Sequence, residues 1–363
     1  MKNLFGYLSL LLLGGLLFTS CSEEIDMIDG FEETAVIYGL LDKSENVHYI
    51  KINRAFIGPG NSLEIAQIPD SSYFDQVDAT VTEFINGIQT RQWTLQDTTI
   101  ENKDTEGVFY APTQKLYYFS TTSSSPLNAN ATYKLHVSLN NGEFEVDGET
   151  ELISGISTSA DAQNFRYTFA DDPGSYTQKG ISVLVGNSHV VNTTLRINYE
   201  EIESGVDTVR RSFDWKLGES EVSPNGSKTF TMNGKSFYDL MKGDCNTSDA
   251  SINTRRIKSI KAIVTGGAEE FYNYMTVNKP TSTLAQSKPT YTNLKVSAGH
   301  RVIGIFSSRL TYSTEKFYIN PSNTSLRMMD TKSTIELCTG PITGNLFFCS
   351  QHPADNGLSY SCQ

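Results

Sequence analysis

Alternation of apolar and polar residues is the main pattern of the chain, and it predicts β-strands. In Val47–Phe56, the residues His48, Ile50 and Ile52 share one face, while the residues between them point the other way. An apolar run over Thr34–Leu41 precedes this segment and predicts another strand. Aromatic residues make up 11% of the chain, and long helical periodicities are hard to find. We therefore expect a mainly β protein.

Two Asn-Gly pairs predict hairpin turns, because both residue types tolerate the positive φ that a two-residue turn requires. Asn86-Gly87 separates the strand candidates Ala79–Ile85 and Ile88–Leu95. Asn141-Gly142 follows the alternating segment Tyr133–Leu139. Strands separated by turns at these intervals fit a small β-sandwich.

The second half of the chain contains further strand candidates and two short helices. The strand candidates are Phe165–Phe169, Ile181–Val185, Thr193–Glu201, Thr208–Leu217, Ser227–Met232 and Arg256–Thr265. The first helix candidate is Phe237–Lys242, with Ser236 as its N-cap and Asp239 placed to complete a capping box. The second is Ala268–Met275, which carries two glutamates in its first turn, where the helix dipole favours them.

Length and composition predict two β-sandwich-like domains, the second with the two short helices. Removal of a signal peptide at residues 1–20 leaves 343 of the 363 residues, which is long for one core. The small and polar residues of Ser154–Gln163 predict a boundary. We expect an acidic tether at 21–33, an N-terminal domain at 34–153, and a C-terminal β-rich domain with a disulfide-bearing tail at 164–363.

An export signal precedes Cys21. Lys2 provides the positive start, and the apolar core Leu8–Phe18 is shorter than the ~20 residues that cross a bilayer. The small residues Thr19-Ser20 fit processing as a bacterial lipoprotein, so we expect Cys21 to carry the lipid. An ordinary secretory signal with an incidental cysteine is the alternative.

Acidic residues follow the cysteine. The run Ser22, Glu23 and Glu24 resembles the export tag of surface-exposed Bacteroidota lipoproteins, which predicts a lipid-anchored protein on the outer membrane facing the medium. The formal net charge is −12 and becomes −13 once the signal with its single lysine is removed, which disfavours nucleic acid as a partner. Arg210-Arg211 and Arg255-Arg256 are too short to form a basic stripe and are expected to be exposed strand charges.

Five short segments carry a family resemblance. They are Tyr38-Gly39-Leu40-Leu41, Ile50 to Phe56, Ser236-Phe237-Tyr238, Tyr291-Thr292-Asn293 and Gly304 to Arg309. Together they resemble a family of Bacteroidota lipoproteins catalogued as domain of unknown function 4249. The resemblance implies an outer-membrane lipoprotein, often encoded beside a TonB-dependent transporter, and it supplies no catalytic residues. A longer loop before Gly304 and a cysteine-bearing tail after Arg309 depart from the family pattern.

Four further cysteines are expected to form disulfides, because their number is even and the compartment is oxidising. They are Cys245, Cys338, Cys349 and Cys362, which allow three pairings. We favour one bridge within the tail and one that ties Cys245 to the C-terminal region. A metal site that includes His352 is the alternative, but the spacing lacks the closely spaced cysteine pairs of structural zinc sites.

The common catalytic and nucleotide-binding motifs are missing from the sequence, so we expect neither enzymatic activity nor a cofactor. A glycosidase carboxylate pair needs no sequence signature, however. Asp70, Asp75 and Asp78 lack the regular spacing of a calcium loop, which favours a polar surface connection. Asp97-Thr98-Thr99 and Asp207-Thr208-Val209 resemble the acceptor motif for Bacteroidota O-glycosylation, with Thr98 and Thr208 as acceptors.

Aromatic clusters give the remaining functional signal. Tyr117-Tyr118-Phe119, Phe271-Tyr272 with Tyr274, and Phe347-Phe348 offer surface for stacking on sugars or for contact with protein. Because consecutive residues of a strand face opposite ways, at least one aromatic of each cluster is expected in the core. We predict a non-catalytic binding or accessory subunit with a TonB-dependent β-barrel transporter as partner. An exported glycan- or peptide-directed hydrolase and an adhesin are the alternatives.

Overall fold

A computed structural model describes residues 34–55, 72–101, 114–203, 208–279 and 290–362, and just over half of these residues lie in β-strands. The first eight strands are β1 (Thr34–Leu41), β2 (Val47–Arg54), β3 (Val77–Ile85), β4 (Ile88–Thr94), β5 (Gln96–Ile100), β6 (Gln114–Ser120), β7 (Thr132–Leu139) and β8 (Phe144–Glu151). Ten more follow: β9 (Ile156–Thr158), β10 (Ala170–Asp172), β11 (Ser175–Tyr176), β12 (Gln178–Val185), β13 (Val190–Glu203), β14 (Thr208–Glu221), β15 (Ser227–Asn233), β16 (Ile252–Gly267), β17 (Lys295–Val296) and β18 (Arg301–Phe317). The same ranges contain three α-helices, α1 (Gly234–Asp244), α2 (Glu269–Asn278) and α3 (Thr331–Thr339). The prediction of a mainly β protein is confirmed.

Both predicted Asn-Gly hairpins are present. Asn86 and Gly87 join β3 to β4 with φ values of 51° and 77°. Asn141 and Gly142 join β7 to β8, with φ values of 60° and 84°. The left-handed backbone of these turns explains why Asn and Gly occupy them.

The first helix begins earlier than predicted. Its N-cap is Asn233, whose side-chain oxygen accepts a hydrogen bond from the backbone N–H of Ser236, so the assignment of Ser236 as the cap is wrong. Asp239 pairs with Lys235 at 2.7 Å instead of closing a capping box. Asn and Ser are both favoured caps, so residue preference alone does not separate them. Helix α2 begins after Ala268, as predicted, and α3 was not predicted.

Residues 154–163, where we predicted a boundary, contain regular structure. Ile156 to Thr158 form strand β9, which pairs antiparallel with β12, and Ile156 is buried in a core. The next residues form a 3-10 turn, in which Thr158 and Asp161 complete a capping box. The small polar residues of this segment therefore serve a cap and a strand.

The described strands pair into four sheets. The largest contains eight strands in the order β14-β13-β16-β18-β1-β2-β6-β5. A five-stranded sheet has the order β17-β8-β7-β3-β4, a three-stranded sheet the order β15-β12-β9, and β10 pairs with β11.

Two hydrophobic cores lie against the eight-stranded sheet. The first contains residues of β1, β2 and β6 together with residues of β3, β7 and β8, and it also takes Leu294 and Phe306 from the C-terminal half. The second runs from Ile153 to Phe348 and includes residues of β12, β13, β15, β16, α1 and α3. Leu152 belongs to the first core and the next residue, Ile153, to the second, so the chain passes from one core to the other near the predicted boundary. Because one sheet serves both cores, the division into two domains stays a prediction.

Strand β18, which the sequence analysis missed, connects the two cores. Its first half pairs in parallel with β1, from Arg301 opposite Thr34 to Ser308 opposite Leu41. Its second half pairs antiparallel with β16, ending at Phe317 opposite Ser259. At a rise of ~3.3 Å per residue, the strand is roughly 50 Å long.

Phe306 of β18 fills the centre of the first core. The side chain is fully buried, and it lies against two glycines. A Cβ at Gly39 would be 3.0 Å from the ring, and a Cβ at Gly148 would be 2.9 Å from the Cβ of Phe306. Asn293 fixes the backbone here, because its side chain accepts a hydrogen bond from the N–H of Phe306 at 3.0 Å and donates one to its carbonyl at 2.7 Å. The pairing of β1 with β18 thus requires glycines at its centre.

Gly304→Ala is expected to lower the free energy of unfolding by more than about 3 kcal/mol. Gly304 has a φ of 113°, and a Cβ there would overlap the carbonyl oxygen of Ile37 in β1. Gly299→Ala is the matched control, since Gly299 has a φ of 86° but no atom within 4 Å of its Cβ position. The free energy of unfolding of the control should fall by only about 1–2 kcal/mol, the cost of placing alanine in a left-handed backbone conformation. Chemical unfolding of both variants in the Cys21→Ala background measures the difference, and equal losses would contradict the overlap.

Candidate functional site

A row of directly opposed residues crosses four strands on the outer face of the eight-stranded sheet. Ser212 of β14 lies opposite Asn198 of β13, Asn198 lies opposite Ser259 of β16, and Ser259 lies opposite Phe317 of β18. Opposed residues of paired strands point to the same face. The neighbouring Tyr199 and Tyr318 point into the second core, so the row faces outward.

Hydrogen bonds hold this row and the positions beside it. Asn198 Nδ2 donates to Ser259 Oγ at 2.9 Å, and Ser259 Oγ donates to Glu315 Oε1 at 2.5 Å. In the next row, Arg196 donates to both oxygens of Asp214 at 2.7 Å and 2.8 Å. These hydrogen bonds from Arg196 hold the pKa of Asp214 below its ordinary value.

The row from Ser212 to Phe317, together with Glu315, lines an open groove of about 500 Å³, a volume within the range of small-molecule sites. Asn198 and Ser259 on the two central strands form its floor. On the β18 side lie Glu315, Phe317 and the adjoining Ile319. Phe317 and Ile319 are 43% and 41% exposed, so both offer apolar surface to the groove. The groove therefore combines polar groups with an exposed aromatic ring.

Charged residues of β13, β14 and β16 also line the groove. Glu200 lies 3.8 Å from Arg210 and 3.4 Å from Lys258. Lys258 lies at a register shift between β13 and β16, outside the regular pairing. The side chain of Arg210 is 89% exposed, so most of its donors face solvent. The expectation that Arg210 is an exposed strand charge is confirmed.

A buried ion pair lies behind the groove. Arg255 Nε donates to Glu201 Oε1 at 2.9 Å, and both side chains are almost fully buried. Arg255 also donates to the carbonyls of Leu346 at 2.7 Å and Asn246 at 2.5 Å. Arg211 of β14 donates to Glu201 Oε2 at 3.1 Å. Arg255 is therefore not the exposed charge that was expected, because its position in β16 points toward the tail and the second core.

The C-terminal tail borders the groove through Gln351 and is tied to the sheet. The backbone N–H of Arg255 donates to the carbonyl of Phe347 at 2.8 Å, and the N–H of Cys349 donates to the carbonyl of Arg255 at 3.1 Å. Cys349 forms a disulfide with Cys362, so the expected bridge within the tail is present.

The second expected disulfide is not formed. Cys245 follows α1, Cys338 lies in α3, and both are free thiols buried in the second core. Burial raises the pKa of Cys245 to about 11 and that of Cys338 to about 12. An even cysteine count does not exclude this outcome, because a buried thiol packs as a small apolar side chain.

Alkylation of the Cys21→Ala protein is expected to label two thiols after denaturation without reduction, and close to none in the native state. Burial and the raised pKa values of Cys245 and Cys338 keep both thiols protonated and inaccessible when folded. Mass spectrometry counts the labels. Cys349→Ser is the control, since it frees Cys362 and should add one label. Absence of label in the denatured protein would contradict the free thiols and would support a second disulfide between Cys245 and Cys338.

Several predicted site residues lie elsewhere. Cys21, Ser22, Glu23, Glu24 and Asp70 are outside the described residues. Thr98 is half-buried in β5 and Thr208 is exposed at the start of β14. Each of these strands forms an edge of the eight-stranded sheet.

The aromatic clusters divide as strand geometry requires, with one exception. Tyr117 and Phe119 are buried while Tyr118 is half-buried, and Phe348 is buried while Phe347 is exposed. The cluster of Phe271, Tyr272 and Tyr274 lies in helix α2, which has no fully buried residue, so the prediction that one of these aromatics is in the core is wrong. That prediction assumed the alternating faces of a strand, which a helix does not have. Phe317 was missed, although the outward residues Thr311, Ser313 and Glu315 before it alternate with inward ones.

The described part of the chain contains neither a cluster of metal ligands nor a membrane-spanning helix. No group of three or more His, Cys, Asp or Glu residues there is arranged to hold a metal ion. Asp75 and Asp78 are exposed, as a surface connection requires. No helix in these ranges is long and apolar enough to cross a membrane.

Comparison with protein-family models gives no match, and no curated protein matches the chain. The family resemblance therefore stays a prediction. The structure nevertheless explains several of the residues that carry it, because Gly39, Asn293, Gly304 and Phe306 meet at the junction of β1 and β18.

Glu83 is a buried carboxylate of the first core. Arg91 donates to Glu83 Oε1 at 2.9 Å and to Oε2 at 2.5 Å, and the hydroxyl of Tyr133 donates to Oε2 at 2.6 Å. Burial favours the neutral acid, but the hydrogen bonds from Arg91, Tyr133 and Thr90 outweigh it and lower the pKa of Glu83 to about 2.

Glu83→Gln is expected to remove a pH-dependent part of the stability. The pKa of Glu83 is lower when folded than its ordinary value of 4.5. Its ionisation therefore stabilises the fold above about pH 4.5, and this contribution disappears as the pH falls through about 2. The difference from the parent should be on the order of 3 kcal/mol at pH 7 and shrink toward pH 2.

Chemical unfolding at pH 7, 4 and 2.5 measures this effect. Glu149→Gln is the control, because Glu149 is exposed and pairs only with the exposed Lys134. The control should match the parent at each pH. A loss in Glu83→Gln that is constant across the three pH values would contradict the assignment.

Proposed function

We propose that the protein is a surface-facing outer-membrane lipoprotein that acts as a non-catalytic binding subunit, with a TonB-dependent transporter as its partner. The observation that supports binding best is the groove of Asn198, Ser259, Glu315 and Phe317. Its polar groups converge on one open volume beside an exposed aromatic ring, and they stand on paired strands. Such a preorganised surface is suited to recognition of a ligand.

The position of the groove relative to the chain's start supports this proposal. Thr34, the first described residue after Cys21, lies opposite Arg301 at the beginning of β18. The groove lies at Phe317, the other end of that strand, roughly 50 Å away along it. A lipid on Cys21 would hold the Thr34 end toward the membrane, and the groove would then face the medium.

The shifted carboxylates favour binding over hydrolysis. A glycosidase acid needs a raised pKa so that it can donate a proton. Among the described carboxylates with a shifted pKa, Glu83, Asp214, Asp249 and Asp355, every shift is downward. Arginine hydrogen bonds lower three of these pKa values, and hydrogen bonds from Ser251 lower that of Asp249. These carboxylates are held as anions, as structural ion pairs and turns require.

Cys21→Ala is expected to release the protein from the outer-membrane fraction, because the lipid on this residue is the proposed anchor. Fractionation with immunoblotting measures the distribution. Cys362→Ser is the control, since it loses a cysteine but keeps the anchor and should stay with the membrane. Retention of Cys21→Ala after a high-salt wash would contradict lipid anchoring.

The accessory role is tested by pull-down of the tagged lipoprotein from native membranes in mild detergent. A TonB-dependent β-barrel should co-purify in stoichiometric amount, and deletion of the lipoprotein should impair uptake of one nutrient class. Recovery of the lipoprotein without any β-barrel, together with normal growth of the deletion strain on all nutrients tested, would overturn the role.

A further inference from the structure

We infer that the groove binds a saccharide of pyranose rings, with one ring face on Phe317 and its hydroxyl groups on Glu315, Asn198 and Arg210. The inference rests on the binding function proposed above and names the ligand class of the same site. It is drawn from the arrangement of four chemical groups on one sheet face.

The aromatic ring meets the first requirement of a sugar site. A pyranose presents a face of C–H bonds, which packs against an aromatic face, and a rim of hydroxyl groups, which needs hydrogen-bond partners. Phe317 is exposed and directly opposite Ser259, so its ring stands at the edge of the polar floor. Ile319 extends the apolar surface.

The floor meets the second requirement. Ser259 donates to Glu315 Oε1 at 2.5 Å, and Asn198 donates to Ser259 at 2.9 Å. These bonds hold the Glu315 carboxylate through Oε1, so Oε2 is the oxygen that we assign to a ligand hydroxyl. A charged acceptor held in place binds hydroxyl donors more strongly than a neutral one.

Cations of β14 and β16 supply donors. Arg210 is largely exposed and lies 3.8 Å from Glu200, and Lys258 lies 3.4 Å from the same carboxylate. A sugar hydroxyl both donates and accepts, so it needs both kinds of partner within reach. The groove has acceptors at Glu315 and Asn198 and donors at Arg210 and Lys258.

Two other ligand classes fit less well. An extended peptide binds by adding a strand to a free sheet edge, which here would place it beside the edge strand β14 and not on the groove floor, because β13 and β16 are paired on both sides. A phosphate or sulfate group would meet Glu200 and Glu315 as well as the cations, and these carboxylates would repel it. A polyhydroxyl ligand makes use of both charge signs.

The test uses the full-length lipoprotein in a detergent without a sugar headgroup. Immobilised protein is probed with oligosaccharides of glucan, mannan, xylan and polygalacturonate, and each hit is titrated by calorimetry. Phe317→Ala and Glu315→Gln should each weaken the Kd by about 10-fold or more. Phe317→Trp keeps the aromatic face and should bind within about threefold of the parent.

Tyr49→Ala is the matched control, because Tyr49 is a similarly exposed aromatic on β2, a strand outside the groove. Its affinity should equal that of the parent, and thermal unfolding confirms that all variants fold. Absence of binding to every oligosaccharide, or binding that Phe317→Ala leaves unchanged, would overturn the inference. If a transporter co-purifies in that case, the accessory role still stands and only the ligand class is wrong.

Discussion

The parallel pairing of β1 with β18 is the contact on which the rest of the architecture depends. It joins the first and last strands of the described chain at the centre of the eight-stranded sheet. The approach is possible only because Gly39, Gly148 and Gly304 leave space for Phe306 and for the carbonyl of Ile37. Asn293 satisfies the backbone of Phe306 at the same point, so no polar group of that residue is left without a partner inside the core.

The same strand supplies both the first core and the groove. Phe306 belongs to the first core, while Glu315 and Phe317 of β18 face the groove beside the second core. Glu201 and Arg255 fix the adjoining strands and attach the tail. Burying two charges costs desolvation energy, which the fully bonded geometry offsets, and the gain is a defined arrangement of β13, β14 and β16.

Local signals predicted the hairpins at Asn86 and Asn141, the alternation of β2 that places His48, Ile50 and Ile52 on one face, and a helix near Ala268, because short-range backbone preferences decide these features. Long-range features escaped. The outward position of Phe317 depends on register with β16, and the burial of Arg255 depends on the tail that covers it. Cys245 and Cys338 are free because each packs separately in the second core, and the number of cysteines carries no information about packing. The groove was therefore out of reach: among its lining residues, only Arg210 and Arg211 were singled out from the sequence, and they were expected to be exposed strand charges.

The central position of β18 also has a consequence for the order of events in folding. Thr34 must find Arg301 across most of the chain, so the first core stays incomplete until the C-terminal half of the chain is present. Contacts between residues so far apart in sequence form slowly, because the chain loses loop-closure entropy before these contacts contribute any stabilising energy. During this delay the apolar residues of β1 and β2 are not yet covered, so a chain with an incomplete first core is prone to aggregation.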